Sequence, residues 1–206
     1  MLTNPALPLP VNVQPKSGAV TYLLPAWGSV GGSALTKTKL QLDAVPIYIG
    51  RTITVDQIGI MLATAASGGA GTYAKGKFGI YLDNNGYPGA LLLDAGEVTT
   101  FNSGGFKAVS ISQVLTPGLY WPAVVCDWNY DTAPTCKSVS APPDGSLLGV
   151  NGTLSTNNAS IVYTHYGSPN WTYPGTANPP LPDPFPAGAT LIAGYLTIPT
   201  VILRVE

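Results

Sequence analysis

The stretch KFGIYLDNNGYPGALLLDAGEV, residues 77–98, contains two apolar runs on either side of a tight-turn signal. The runs KFGIYL and ALLLDAGEV favour extended strands, because each is short, apolar and bounded by turn residues. Between them, Asn85-Gly86 tolerates the positive φ of a hairpin turn, and Pro88-Gly89 reinforces the reversal. We therefore predict two strands joined by a tight turn, with Asp83 serving the turn through its own hydrogen bonds.

The same alternation of apolar run and turn continues in both directions from this hairpin. Each unit is about eight to twelve residues long, which is the spacing of an antiparallel sandwich or barrel. We predict strands in AVTYLLPAW (19–27), LTKTKLQL (35–42), AVPIYIG (44–50), RTITVDQIGIMLATAA (51–66), KAVSISQVL (107–115), LYWPAVVC (119–126) and ATLIAGYLTIPTVILRV (189–205). GSVGGS (28–33) is predicted to be a flexible turn, and a bulge is predicted near Asp56-Gln57.

No segment sustains the 3.6-residue period of a helix, so the sequence predicts an all-β protein. The architecture expected is an antiparallel jelly-roll-like β-sandwich over residues 20–206, with a lipocalin-type barrel as the alternative. Residues 1–19 are predicted to form an extended Pro-rich N-terminal arm, because its prolines exclude a helix. The arm is expected to dock on a neighbouring subunit, the alternative being a frayed terminus. Its apolar assembly residues are Leu2, Leu7, Leu9, Val11 and Val13.

Composition narrows the classes of function. Charged residues make up 9% of the chain and apolar residues 45%, with a formal net charge of −1. The apolar content excludes a disordered chain, and the scattered Lys and Arg argue against nucleic-acid binding. So few charges favour a surface covered by other subunits, although a neutral, hydroxyl-rich surface is the alternative.

Two further features concern location. No run approaches the ~20 apolar residues that span a bilayer, so membrane insertion is not expected. The beginning of the chain lacks a signal-peptide pattern, so synthesis in the cytoplasm is expected.

Few residues carry candidate chemistry. Cys126 and Cys136 bracket a short loop and form a possible disulfide, although both stay thiols in the cytosol. With one histidine, His165, the sequence predicts neither a zinc site nor a catalytic triad, and no cofactor. The carboxylates available for glycoside cleavage are Asp83, Asp94, Glu97, Asp127, Asp131 and Asp144, of which Asp127 and Asp131 are the best placed. We expect no enzymatic activity.

Large aromatic residues in predicted loops are the best binding candidates. They are Trp128, Tyr130, Trp171 and Tyr173. Exposed aromatic rings anchor protein interfaces or stack on sugars, whereas in a sandwich they also cap the open ends. The sequence favours an interface role and a capping role equally, and glycan binding comes third.

Residues 51–122 resemble a jelly-roll domain of tailed-bacteriophage fibre and virion structural proteins. The resemblance rests on TITVDQIGI (52–60), GIYLD (79–83), GYPG (86–89), LLLDAG (91–96), TPGLYW (116–121) and the ending PTVILRV (199–205). It implies a virion location, contact with other virion proteins and homo-oligomers, often trimers. It brings no catalytic motif. Contact with a host surface glycan is a further expectation, which rests on the loop aromatics.

The position within such a particle stays open. The chain has no heptad stalk or repeated shaft, which favours a compact tail or head fibre, knob or appendage that contacts the host surface. A capsid decoration (cement) protein is the first alternative. A free carbohydrate-binding module is the second, supported by the loop aromatics, and a glycan hydrolase is the third.

Overall fold

The computed structural model describes residues 21–23, 30–139, 165–168, 180–188, 190–192 and 198–206. None of these residues lies in a helix, so the described part contains no helix that could span a membrane. The strands of the described part are β1 (Thr21–Leu23), β2 (Val30–Thr36), β3 (Leu42–Ala44), β4 (Ile47–Ile49), β5 (Ile53–Thr64), β6 (Ala74–Asp83), β7 (Pro88–Val98), β8 (Gly105–Leu115), β9 (Gly118–Trp128), β10 (Thr135–Val139), β11 (His165–Ser168), β12 (Thr190–Ile192), β13 (Ile198–Pro199) and β14 (Val201–Val205).

These strands form two antiparallel sheets. The first sheet has the order β1-β14-β5-β10-β13, with β8 paired to β5 and β2 paired to β10. The second sheet has the order β12-β11-β3-β9-β6-β7, with β4 paired to β9. The prediction of an all-β, antiparallel β-sandwich is therefore confirmed. The predicted N-terminal arm lies outside the described residues.

The main core lies between the two sheets. Alternate residues of β5 and β14 face it from the first sheet, and alternate residues of β6 and β9 face it from the second, because side chains alternate along a strand. Fully covered members include Ile58, Ile60, Leu203, Phe78 and Val124, each with no exposed surface. Burial of such a side chain contributes roughly 1.5–3 kcal/mol, so this layer is the principal source of stability.

A second, smaller core covers the outer face of the second sheet. Tyr81 and Trp121 point away from the main core and contact Leu181 and Phe185. The segment 180–188, here called the strap, carries the latter two residues across β6 and β7. Leu181 and Phe185 are 3% and 2% exposed, so the strap is an integral layer of the fold.

Hydrogen bonds fix the strap in place. The hydroxyl of Tyr81 donates to the Pro182 carbonyl at 3.0 Å, and that of Tyr87 donates to the Pro186 carbonyl at 2.8 Å. The backbone N–H of Phe185 donates to the Gly89 carbonyl at 2.9 Å. Since polar groups beneath the strap find partners within it, its apolar side chains pack on the sheet without leaving those hydroxyls unpaired.

The predicted hairpin turn is confirmed at Asn85-Gly86. Both residues have positive φ, 53° and 81°, and Asn84 and Tyr87 exchange backbone hydrogen bonds of 2.7 and 3.2 Å. Asp83 accepts from the Gly86 N–H at 3.1 Å, as expected for an acid that serves the turn. Pro88 is different from the prediction, since it begins β7 instead of extending the reversal.

The prediction of one strand over residues 35–42 is wrong. β2 ends at Thr36, β3 begins at Leu42, and between them Leu40 adopts a φ of 63° while its N–H donates to the Cys126 carbonyl at 2.8 Å. GSVGGS was predicted as a turn, yet β2 begins at Val30 and pairs with β10. Pairing with distant strands overrides the local preferences of these residues.

The predicted bulge in the long strand is confirmed. The register of β5 shifts between Val55 and Gln57 against β8, and the register of β14 against β5 shifts at the same place. The Asp56 carboxylate between them receives two hydrogen bonds from Arg204, of 2.7 and 2.6 Å. A charged side chain at the irregularity thus finds a bidentate partner on the neighbouring strand.

Candidate assembly surface

Strands β7 and β8 lie at the edges of the two sheets, on the same side of the sandwich. Each has eleven residues. Among the described strands, β7 pairs with β6 and β8 pairs with β5, so each presents one row of backbone groups that has no ladder partner there. Such a row is a template for pairing with another chain, and natural proteins protect it by bulges, charges or proline.

β7 carries all three kinds of protection. Its register against β6 shifts at three places along the strand, and its first residue is Pro88. It also bears two carboxylates, which form ion pairs with β6: Asp94 with Lys77 at 2.8 Å and Glu97 with Lys75 at 3.4 Å. An incoming strand would meet an irregular and charged edge here.

β8 is far less protected. Its register against β5 is continuous from Gly105 to Ser110 and again from Gln113 to Leu115, and one bulge, at Ile111 and Ser112, separates the two runs. Its one charged residue is Lys107, whose Nζ donates to the Ser103 hydroxyl at 2.7 Å. The edge of β8 is therefore long, nearly uncharged and largely regular.

The side chains of β8 alternate between core and solvent. Val109 and Ile111 pack against the main core, whereas Ser110 and Ser112 are exposed. Val114 is 55% exposed, and it is one of the large apolar residues of the described part that face solvent. A single exposed aliphatic side chain is common on protein surfaces, so Val114 counts here only together with the open edge of β8.

An aromatic pair lies on the outer face of the first sheet, beside β8. Tyr22 is 49% exposed, and its ring meets that of Phe106 edge-on at a centroid distance of 5.8 Å. Apolar residues of both edge strands are also only partly buried where the sheets meet: Leu92, Leu93, Ala95, Val98, Val109 and Ile111. The β8 edge, Val114 and this aromatic pair are together called the β8 surface.

Two of the aromatic residues predicted to bind a partner are described by the structure, and neither lies in a fully exposed loop. Trp128 is the last residue of β9, is 8% exposed and belongs to the main core. Tyr130 is half-buried against that core, and its ring lies so close to Gly71 that a Cβ there would come within 2.4 Å of Cδ1. Both residues therefore pack against the main core, and Trp128 exposes little of its ring. Trp171 and Tyr173 lie outside the described residues.

The apolar residues of the predicted arm also lie outside the described part of the chain. They are Leu2, Leu7, Leu9, Val11 and Val13. Docking of the arm on a neighbour stays a prediction.

Both cysteines are buried free thiols, so the possible disulfide is not formed in the structure. Cys126 lies on β9 and Cys136 on β10, in facing sheets, and both belong to the main core. Burial raises the pKa of Cys126 to about 12 and that of Cys136 to about 11, although Lys37 opposes both shifts. Because the thiolate is the nucleophile, thiols with such raised pKa values are unreactive at neutral pH.

We expect neither cysteine to react with a thiol reagent such as Ellman's reagent in the native protein at pH 8. Two thiols per chain should react once the protein is unfolded in guanidinium without reductant. Release of no thiol after unfolding would instead show that Cys126 and Cys136 form a disulfide. Rapid reaction in the native state would contradict their burial.

Five of the six candidate catalytic carboxylates lie within the described residues. Asp94 and Glu97 pair with lysines as described above, and Asp127, which is 3% exposed, lies 3.5 Å from the Nζ of Lys39. The carboxylate of Asp131 lies over Gly69, where a Cβ would come within 2.6 Å of Oδ1. Asp83 accepts from the indole N–H of Trp121 at 2.9 Å. Asp144 lies outside the described residues, and His165 begins β11.

Two other observations concern chemistry. Within the described ranges, no group of three or more His, Cys, Asp or Glu side chains is placed to hold a metal ion. The main core instead contains a buried ion pair, Lys37 with Asp43, whose side chains are 1% and 3% exposed. Sequence reasoning missed this pair, because an alternating pattern indicates which residues share a face without revealing which face is buried.

Comparisons with known proteins give no relative. No family model, no curated protein and no solved structure matches the chain. The class that fold and surface define is an antiparallel β-sandwich whose edge strand β8 has a ladder partner on one side alone among the described strands.

Proposed function

We propose that this chain is a non-enzymatic structural protein of a bacteriophage particle, which forms homo-oligomers in a surface appendage that contacts the host. The observation that carries the proposal is the β8 edge. A long edge strand with a single charged residue promotes aggregation in a free monomer. A subunit that assembles covers this edge with a partner.

The composition supports the same proposal. The chain has 9 Lys and Arg and 10 Asp and Glu among 206 residues, and 9% of residues are charged. An ordinary soluble domain has roughly 25% charged residues. Several of these few charges form buried or half-buried ion pairs, such as Lys37 with Asp43 and Lys77 with Asp94. The surface is left with little charge to keep separate copies apart.

The resemblance of residues 51–122 to phage fibre and virion domains supplies the virion location. The four strands from β5 to β8 and the start of β9 fall within this stretch. The edge strand β8 therefore belongs to the part of the chain that carries the resemblance.

The test is the protein composition of particles from the virus that encodes the chain. Particles purified through two density gradients should contain the chain in a fixed ratio to the major capsid protein. The ratio should survive a high-salt wash, because the contacts proposed are apolar and backbone-mediated and therefore little screened by salt. Particles that lack the chain altogether would contradict the proposal.

A further inference from the structure

Strand β8 is complementary to itself. When two copies of β8 lie antiparallel in full overlap, Gly105 of one lies opposite Leu115 of the other, and Ser110 lies opposite itself. We propose that β8 pairs with β8 of a second copy of this chain, across a two-fold axis that passes beside Ser110. The inference rests on the self-association in the proposed function and names the contact that produces it.

The facing side chains in this register fit each other. Phe106 lies opposite the second copy's Val114, and an aromatic ring opposite a β-branched residue is a favourable cross-strand pair. Val114 is 55% exposed and Phe106 is half-buried, so both have surface left to cover. On the core-facing side Val109 meets the second copy's Ile111, and both already pack against the main core. In this register, apolar side chains therefore meet across the contact on both faces of the sheet.

The charges in this register do not oppose each other. Lys107 lies opposite the second copy's Gln113, and the two Lys107 residues are six positions apart along the ladder. At ~3.4 Å per residue, their Cα atoms are roughly 20 Å apart, which is about two Debye lengths at physiological ionic strength. A like-charge contact, the usual obstacle to edge pairing, is absent from this pairing of β8 with itself.

Other edges in the described part are poorer partners. β1, β4 and β12 have three residues each and β13 has two, so each supplies only a short ladder. β2 pairs with β10 alone among the described strands and has seven residues, but Gly31 and Gly32 in its first half weaken it as a ladder partner. β7 is irregular and charged, as described above. Residues 1–19 contain Pro5, Pro8, Pro10 and Pro15, and proline has no N–H to donate. Of the edges in the described part, β8 is the longest with a single register shift.

The consequence is a sheet that runs continuously through both copies, in the order β14-β5-β8 and then β8-β5-β14 of the second copy. An antiparallel pair of this length forms about ten backbone hydrogen bonds. The Val114 carbonyl on β8 already accepts a hydrogen bond from the Gln113 side-chain amide at 2.8 Å. A carbonyl oxygen has two lone pairs, so it can also accept from the second copy.

The experiment uses charge at the two-fold position. Ser110→Lys places two lysines directly opposite each other, whereas the exposed serine makes room for lysine in a free copy. Sedimentation equilibrium of the full chain should show a dimer, or a multiple of it, for the natural protein. The dimer dissociation constant should rise at least about tenfold for Ser110→Lys and for Ser110→Glu. An equimolar mixture of these two variants should recover the association, because Lys then faces Glu.

A matched control is Thr99→Lys, which adds the same charge at an exposed position between β7 and β8. It should associate like the natural protein. Unchanged association of Ser110→Lys, or a mixture that does not recover, would overturn the β8 pairing. If the Ser110 variants associate normally and the chain is present in purified particles, the β8 pairing is wrong and the proposed function stands. If the chain forms β8 dimers but is absent from particles, the β8 pairing stands and the proposed function is wrong.

Discussion

Replacement of Asp43 by alanine should lower the free energy of unfolding by about 3–5 kcal/mol, because it leaves a lysine charge buried without its partner. Lys37 and Asp43 are in direct contact, and their side chains are 1% and 3% exposed. Gln41 donates to the other carboxylate oxygen at 2.5 Å, so Asp43 organises two neighbours at once. Chemical denaturation at pH 7, followed by tryptophan fluorescence, measures the loss.

The control for this prediction removes both charges together. The double variant Lys37→Met with Asp43→Leu fills the same space with apolar atoms and should lie within about 1–2 kcal/mol of the natural protein. Asp43→Ala with natural stability would contradict the buried ion pair. If the single and the double variant lost the same free energy of unfolding, packing and not charge would determine stability at this position.

The pair also predicts a pH dependence. Burial lowers the pKa of Lys37, but attraction by Asp43, assisted by Cys126 and Cys136, raises it on balance above its ordinary value of 10.5. Stability from a raised lysine pKa is fully present below the unfolded value and is lost as pH rises through the folded value. The free energy of unfolding of the natural protein, compared with that of the double variant, should therefore fall only above about pH 10.5. A fall near neutral pH would contradict the assignment.

Replacement of Phe185 by alanine should cost about 3–5 kcal/mol, the usual range for a buried phenylalanine. The ring is 2% exposed and meets Tyr81 edge-on at 5.0 Å and Tyr87 at 6.1 Å. It anchors the strap on the outer face of the second sheet, so its loss uncovers Trp121 as well. Thermal unfolding should remain a single transition at lower temperature, because the strap and the sandwich form one cooperative unit.

Tyr87→Phe is the matched control for the strap. It keeps the ring against Phe185 and removes only the hydroxyl that donates to Pro186 at 2.8 Å. Its expected cost is about 0.5–1.5 kcal/mol, the net value of one hydrogen bond. If Phe185→Ala cost no more than Tyr87→Phe, the strap would be a peripheral loop and its core would be unimportant for stability.

Local features of the fold were predictable from the sequence. The turn at Asn85-Gly86 and the bulge near Asp56 depend on φ preferences and on interrupted alternation, which neighbouring residues alone reveal. The all-β class also follows from local sequence, since no segment sustains the 3.6-residue period of a helix.

Non-local features were not predictable in the same way. Lys37 and Lys39 share a parity in the sequence, yet Lys37 is buried in the core while the Lys39 side chain is 44% exposed. The turn at Leu40, the residue after Lys39, is held by a hydrogen bond from its N–H to the Cys126 carbonyl on β9, more than eighty residues away in sequence. The edge position of β8, which defines the candidate surface, depends equally on which distant strand pairs with β5.

The central claim, a self-associating sandwich on the outside of a phage particle, is tested most directly by an electron-microscopy map of that particle. We expect density for this sandwich at symmetry-related positions on the exterior of a head or tail appendage, in contact with further copies of itself. A map in which every exterior density belongs to other proteins, with this chain absent from the particle, would contradict the account.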